Sequence, residues 1–246
     1  MRGRDTANRE QAKQPVNQPL FIVFEGTDGS GTTTQGDLLT AALKRSGRTV
    51  LRTAEPTDGD VGVMIRNVLR ARTEHPLDPA AVALLFAADR VDHCARIIAP
   101  ALARNEAVIC DRYLASSLTF QVVDGDGRIT PKWICEINKE ALKPDLTILL
   151  DLPVTDAMTR IHHRGKPRER FEVAETLEHV RARYREVFRE APERLGRSLV
   201  LDASRSREAI AYDVLSAVLQ IVQERAQAAW KAARATRKPA MRRRDD

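Results

Sequence analysis

The chain has 246 residues, 43% of them hydrophobic, enough to bury one sizeable core and more in keeping with a single α/β domain than with several. Charged residues make up 30% of it, and no apolar run approaches the roughly 18 residues that span a bilayer, so a membrane-spanning segment is unsupported. The net charge of +6 would suggest a nucleic-acid partner if it covered a folded face, but eight Lys or Arg and two Asp fall in 225–246, which leaves 32 basic and 32 acidic residues in positions 1–224.

Residues 1–18 are polar and lack the apolar stretch of a secretory signal, so they read as a flexible arm and the expected location is the cytoplasm. A single folded domain is expected over 19–224. Its first strand is Leu20 to Glu25, followed by a glycine-rich turn and a helix over Thr32 to Ser46, where Leu38, Leu39, Ala42 and Leu43 form a stripe and Gly47 supplies a left-handed C-cap. Thr49 to Thr53 is the second strand. Asp78-Pro79 reads as an N-cap with proline at the first helical position, opening a long helix towards Arg104. Strands at Ala107 to Asp111, Leu146 to Asp151 and Ser198 to Asp202 alternate with helices over Thr130 to Leu142, Val154 to His162, Val173 to Glu190 and Arg207 to about Lys231. This rhythm predicts a five-stranded parallel sheet with helices on both faces. Cys94, Cys110 and Cys135, odd in number and far apart, fit neither a disulfide framework nor a zinc site. The C-terminal RKPAMRRRDD reads as a solvated charge run; a nucleic-acid partner is not expected.

The chemical signal follows the first strand directly: Gly26-Thr27-Asp28-Gly29-Ser30-Gly31-Thr32-Thr33, with Thr34 next. Glycines let the backbone curl and aim N–H groups at phosphate oxygens, and the following helix adds its positive end. Strand, loop and helix in this order make a P-loop NTPase fold, with Thr33 where a hydroxyl ligates Mg²⁺. Thr32 occupies the position of the loop lysine and brings no charge to the β- and γ-phosphates.

FEGTDGSGTTTQ, AEP at Ala54 to Pro56, LLFAADRVDH at Leu84 to His93, DRYLASSLTFQ at Asp111 to Gln121 and PDLTILLD at Pro144 to Asp151 together resemble the thymidylate kinases, over about positions 19 to 222. The resemblance implies ATP and dTMP as substrates, Mg²⁺ as cofactor and a homodimer. It also implies that Phe86 stacks on thymine, although a helical phenylalanine is also ordinary core, that Arg90 donates to a base carbonyl, and that Gln121 reads the base edge. Arg66 and Arg112 would hold the acceptor phosphate, or else pair on the surface. Asp28 would contact the sugar; Glu55 and Asp111 would bind water around Mg²⁺ or orient the arginines; Ser116 would join the substrate contacts.

Arg160 to Glu172, RIHHRGKPRERFE, is arginine-rich and resembles a short mobile lid over ATP, in which Arg164 and Arg170, with Lys166, would supply the charge missing at Thr32. His162 and His163 read as solvent-facing. Three departures from the family pattern stand out: Thr32, Ala54 in place of an arginine, and Phe120 in place of a tyrosine. The alternatives are a kinase for another nucleoside monophosphate and a nucleotide-binding regulatory module that has lost rate with its lysine.

Overall fold

All seven residues of Leu20–Gly26 (β1) are buried, as a continuous apolar run must be when both faces of a parallel sheet are covered. In the computed structural model, which describes residues 18–70, 73, 75–164, 174–190 and 193–236, β1 is the central strand of five. The others are β2 (Val50–Ala54), β3 (Ala107–Asp111), β4 (Leu146–Asp151) and β5 (Arg197–Asp202). They pair in the order β2-β3-β1-β4-β5, all parallel. The sequence-based spans agree with these to within one residue.

Helices α1 (Thr32–Arg45), α2 (Asp60–Leu69), α3 (Pro79–His93), α4 (Ala99–Ala103), α5 (Pro131–Ile137), α6 (Val154–Arg164), α7 (Ala174–Glu190) and α8 (Arg207–Thr236) connect and cover the strands. Strand side chains alternate between two cores. On one face Ile22, Phe24, Ile109 and Ile148 meet Leu39 and Leu43 of α1 and Val214 and Val218 of α8. On the other, Val23, Val108, Cys110 and Leu149 meet Ile98, Tyr113, and Val180 and Tyr184 of α7. This is the doubly covered α/β arrangement expected of a P-loop fold.

Local signals set most boundaries. Gly47 takes φ 85° and its N–H reaches the Lys44 carbonyl at 3.0 Å, closing α1 as expected. The Asp78 side chain accepts from the Ala80 N–H at 2.8 Å with Pro79 leading α3, and a wider π turn, Cys94–Ile98, carries the helical run on into α4. The helix predicted over Thr130 to Leu142 stops at Ile137, because Asn138 turns its side-chain amide back to the Ile134 carbonyl at 2.8 Å and competes with the backbone. No span was predicted for α2 or for the helical segment 114–124, and α8 runs past Lys231 to Thr236. Of the predicted lid, residues 165–172 lie outside the described residues.

Candidate active site

Parallel strands all end on one edge of the sheet, and that edge gathers the site. Register pairs Phe24 of β1 and Ala54 of β2 with Asp111 of β3, so Glu25, Glu55 and Asp111 emerge side by side. The loop that leaves β1 turns on Gly29, φ 81°, and Gly31, φ 96°, conformations that glycine alone adopts freely. A Cβ on Gly29 would come within 2.9 Å of the Ala157 carbonyl, so the loop rests directly on α6. At the start of α1, Gly31 offers no side-chain cap and the first turn carries no acidic residue. Its N–H groups and positive helix end stand ready for an anion.

Thr33 donates its hydroxyl to Asp111 Oδ2 at 2.6 Å. The two residues expected to serve a metal therefore meet across 78 positions of sequence. Among the described residues no group of three or more His, Cys, Asp or Glu forms a metal cluster. A hard cation here would take one hydroxyl and one carboxylate from the protein and complete its shell with phosphate and water, as Mg²⁺ on nucleotides does.

Arg112 sits in the left-handed region, φ 66°, with its N–H on the Phe24 carbonyl at 2.8 Å. That twist sends the guanidinium back under the loop, where it donates to the Gly26 carbonyl and to Asp28 Oδ1, both at 2.8 Å, and lies 5.1 Å from the Phe120 ring centre. Burial works against its charge, but Asp28, Tyr184, Asp111 and Glu25 outweigh burial and hold its pKa above the ordinary value. It is a permanent cation.

A second network fixes the turn after β2, which contains a cis Glu55-Pro56 bond. Arg90 donates to Glu55 Oε2 at 2.9 Å, to Asn138 Oδ1 at 2.5 Å and to the Tyr113 carbonyl at 3.1 Å. His93 lies between Glu55, at 3.0 Å, and the Thr53 hydroxyl, at 2.7 Å. Asp89 accepts from both the N–H and the hydroxyl of Thr57, at 2.8 and 2.6 Å. One face of α3 thus clamps the turn.

Two cavities open between these networks. A cavity of about 340 Å³ follows the loop and takes in Thr27, Asp28, Gly29, Gly31, Thr32 and Thr33. A neighbouring one of about 130 Å³ is walled by Phe86, Arg90, Tyr113, Ser116, Phe120 and Gln121. Asp28, Glu55 and Arg112 line both. Gln121 lines the second cavity, and its buried Oε1 has no hydrogen-bond partner among the described residues, an acceptor left unsatisfied. A wider groove of about 1080 Å³ beyond Thr33 and Asp111 is lined by Asp37, Asp58, Asp60, Asp89 and Asp92 against Arg52 and Arg96, a net negative charge that disfavours phosphate.

The structure brings most of the sequence-derived candidates together; Gly26, Ser30, Thr34 and Arg66 line neither of these two cavities, and the Ser116 hydroxyl is occupied within the protein. Arg66 points to the carbonyls of Pro56 and Thr57, at 3.0 and 2.5 Å, and pairs with Asp58 at 3.2 Å; it does not line the second cavity. Ser116 lines that cavity, but its hydroxyl is taken by Glu25 at 2.6 Å. Thr34 is exposed and lines neither cavity. Ser30 is buried and its hydroxyl has no partner among the described residues, in a place where a Cβ on Gly26 would meet it at 2.5 Å. Of the lid arginines, Arg164 ends α6 without a described side chain and Arg170 lies outside the described residues, as does Lys166.

Sequence reasoning missed Glu25 and Tyr184. The Glu25 carboxylate is fully buried and accepts from the N–H groups of Tyr113 and Ser116 at 2.9 and 3.2 Å and from the Tyr184 hydroxyl at 3.0 Å. It thereby ties β1 to the 112–116 turn. Burial pushes its pKa up, against the opposing pull of Ser116, Arg112 and Tyr184. The available signal was one charged residue inside an otherwise apolar strand.

A family model described as thymidylate kinase matches residues 24–214. A probable thymidylate kinase of Pyrococcus horikoshii is 40% identical over 201 residues, covering 80% of this chain and 95% of that protein. A thymidylate kinase of Leifsonia xyli subsp. xyli is 43% identical over 208 residues, covering 81% and 95%. With the loop, the DRY turn and the clamped AEP turn assembled at one sheet edge, and the match spanning most of the sequence, this chain belongs to the thymidylate kinase family.

Proposed function

We propose that this protein transfers the γ-phosphate of ATP to dTMP, giving dTDP and ADP. The observation that carries the reading is the wall of Asp28, Glu55 and Arg112 shared by the two cavities. A donor phosphate chain laid along the loop and an acceptor seated beside Phe86 and Gln121 would meet at that wall, next to one fixed cation.

An oxygen of the dTMP phosphate attacks the γ-phosphorus, a new P–O bond forms, and the bond to the β,γ-bridging oxygen breaks as ADP leaves. The acceptor phosphate is ionised at pH 7, so no general base is needed and catalysis consists of positioning and charge neutralisation. The backbone N–H groups of 26–33 cradle the donor. Arg112, held by Asp28 and Gly26, offers its guanidinium to the acceptor phosphate and the transferring group. Thr33 and Asp111 would hold Mg²⁺, which supplies further neutralisation of phosphate oxygens when bound. Phe86 provides a flat face for thymine, Arg90 a donor for a base carbonyl, and Gln121 an amide for the base edge, its free Oε1 suited to the N3–H of a thymine. Arg66 acts through the Pro56–Thr57 turn, and Ser116 through Glu25.

The reading carries one kinase domain over 19–224, a lid near 160–172 whose Arg164 and Arg170 reach the transferring phosphate, and a cytoplasmic enzyme; among the described residues no helix is long and apolar enough to cross a membrane. A homodimer fits the same reading, since Leu84 and Val91, one heptad apart on α3, and Ile97 beyond them are exposed. The test is ADP release from ATP and Mg²⁺ with dTMP, dUMP, dCMP, dGMP or no acceptor. Release confined to dTMP, with weaker dUMP, is expected. Silence with every acceptor sinks the proposal.

A further inference from the structure

Past Arg225, α8 leaves the body of the protein. Arg225 anchors its side to the Pro19 carbonyl at 2.8 Å and to Asp145, and every residue from Ala226 to Arg234 is exposed. The family match has already ended at residue 214, and the Pyrococcus horikoshii relative is 95% covered while a fifth of this chain remains outside the match. The projecting end lies beyond the residues matched by the family model.

Its chemistry is one-sided. No acidic residue occurs between Arg225 and Arg244, whereas eight Lys or Arg do. Trp230 is 59% exposed, and the Arg234 guanidinium lies 4.6 Å from its ring centre, with Lys231 three positions before Arg234. The Arg234 guanidinium thus covers one face of the indole, while Trp230 as a whole stays largely exposed. An aromatic plane flanked by cations provides what an unpaired strand requires, a stacking surface for a base and charges for the phosphates beside it. Trp230 is the one large apolar side chain between Ala226 and Thr236, too little to form the apolar stripe with which a helix lies in a bilayer.

We propose that the exposed end of α8 is a docking arm for single-stranded nucleic acid, with Trp230 stacking on a base and Lys231 and Arg234 on phosphates. None of these residues belongs to the active site, so the proposal stands or falls independently of dTMP phosphorylation.

The experiment is fluorescence anisotropy of labelled mixed-sequence DNA and RNA strands of about 20 nucleotides, titrated with the full chain between about 50 and 200 mM salt. Two phosphate contacts give a log–log slope near −1.4, so affinity should fall roughly sevenfold over that range. Lys231→Gln with Arg234→Gln should flatten the slope by about 1.4, and Trp230→Ala should weaken binding roughly fivefold or more at every salt. ADP release should be unchanged in all three variants. No binding at the lower salt, or binding indifferent to these variants, overturns the proposal. So does association with vesicles of phosphatidylcholine and phosphatidylglycerol that depends on Trp230 while the oligonucleotides remain unbound.

Discussion

The Thr33 hydroxyl rests on Asp111 Oδ2 at 2.6 Å, joining the first turn of the helix after β1 to the end of β3. If the pair holds the metal of the nucleotide, Thr33→Ala and Asp111→Asn should each lower turnover by about 10²-fold to 10³-fold, with a higher Mg²⁺ requirement and little change in folding. Steady-state kinetics over a Mg²⁺ titration measures this. Turnover within a few-fold of the parent, at the same Mg²⁺ midpoint, would remove both residues from the metal site.

Arg112 is fixed by three protein acceptors, Gly26, Asp28 and Tyr184. Lysine keeps the charge and loses the planar fork, so Arg112→Lys should lower kcat/KM for dTMP by about 10²-fold. Asp28→Asn, which leaves the guanidinium in place but loosens it, should cost less. Equal losses in the two variants would argue against a direct phosphate contact by Arg112.

Among the described residues, Thr32 leaves Arg112 as the one cationic side chain beside three carboxylates in the lining of the loop cavity. Arg170→Ala should therefore lower turnover sharply and leave dTMP affinity nearly intact, and adding Thr32→Lys in that background should restore part of the loss. An Arg170→Ala enzyme with normal turnover would show that the lid does not supply the missing charge.

Gln121 has a free Oε1 in a wall of the acceptor cavity. Gln121→Leu removes the amide at similar size and should cost roughly tenfold or more in kcat/KM for dTMP, with a smaller effect on the KM for ATP. The comparison of dTMP with dCMP is the informative one, since a base-reading amide predicts that their ratio narrows.

Glu25 links site geometry to stability. Burial holds its folded pKa above the ordinary 4.5, so the folded state binds this proton more tightly than the unfolded chain does. Stability from this group is therefore full below about pH 4.5 and is lost as pH rises through the raised folded value. Glu25→Gln keeps an acceptor for the two N–H groups and removes the titration. From about pH 4.5 to 8 the parent should lose more Tm than the variant, measured by thermal unfolding at each pH. Parallel curves would mean that Glu25 stays ionised at no cost.

The sequence by itself determined the sheet and the loop. Short branched apolar runs bounded by turns and alternating with helical patterns fit buried parallel strands, and glycines at 26, 29 and 31 followed by hydroxyl residues prescribe a phosphate cradle within eight consecutive positions. Local chemistry also set the Asp78 cap and the Gly47 stop. What tertiary structure alone decided was the direction of the long side chains. Arg66 resembled a phosphate ligand yet spends its donors on Pro56 and Thr57, and Arg90 spends several of its own on Glu55, Asn138 and Tyr113. Glu25 and Tyr184, 159 positions apart, met only once α7 had packed on β1. A guanidinium or carboxylate is satisfied by whichever partners the folded chain brings within about 3 Å, and that depends on strand order and helix packing, which no local pattern of residues contains.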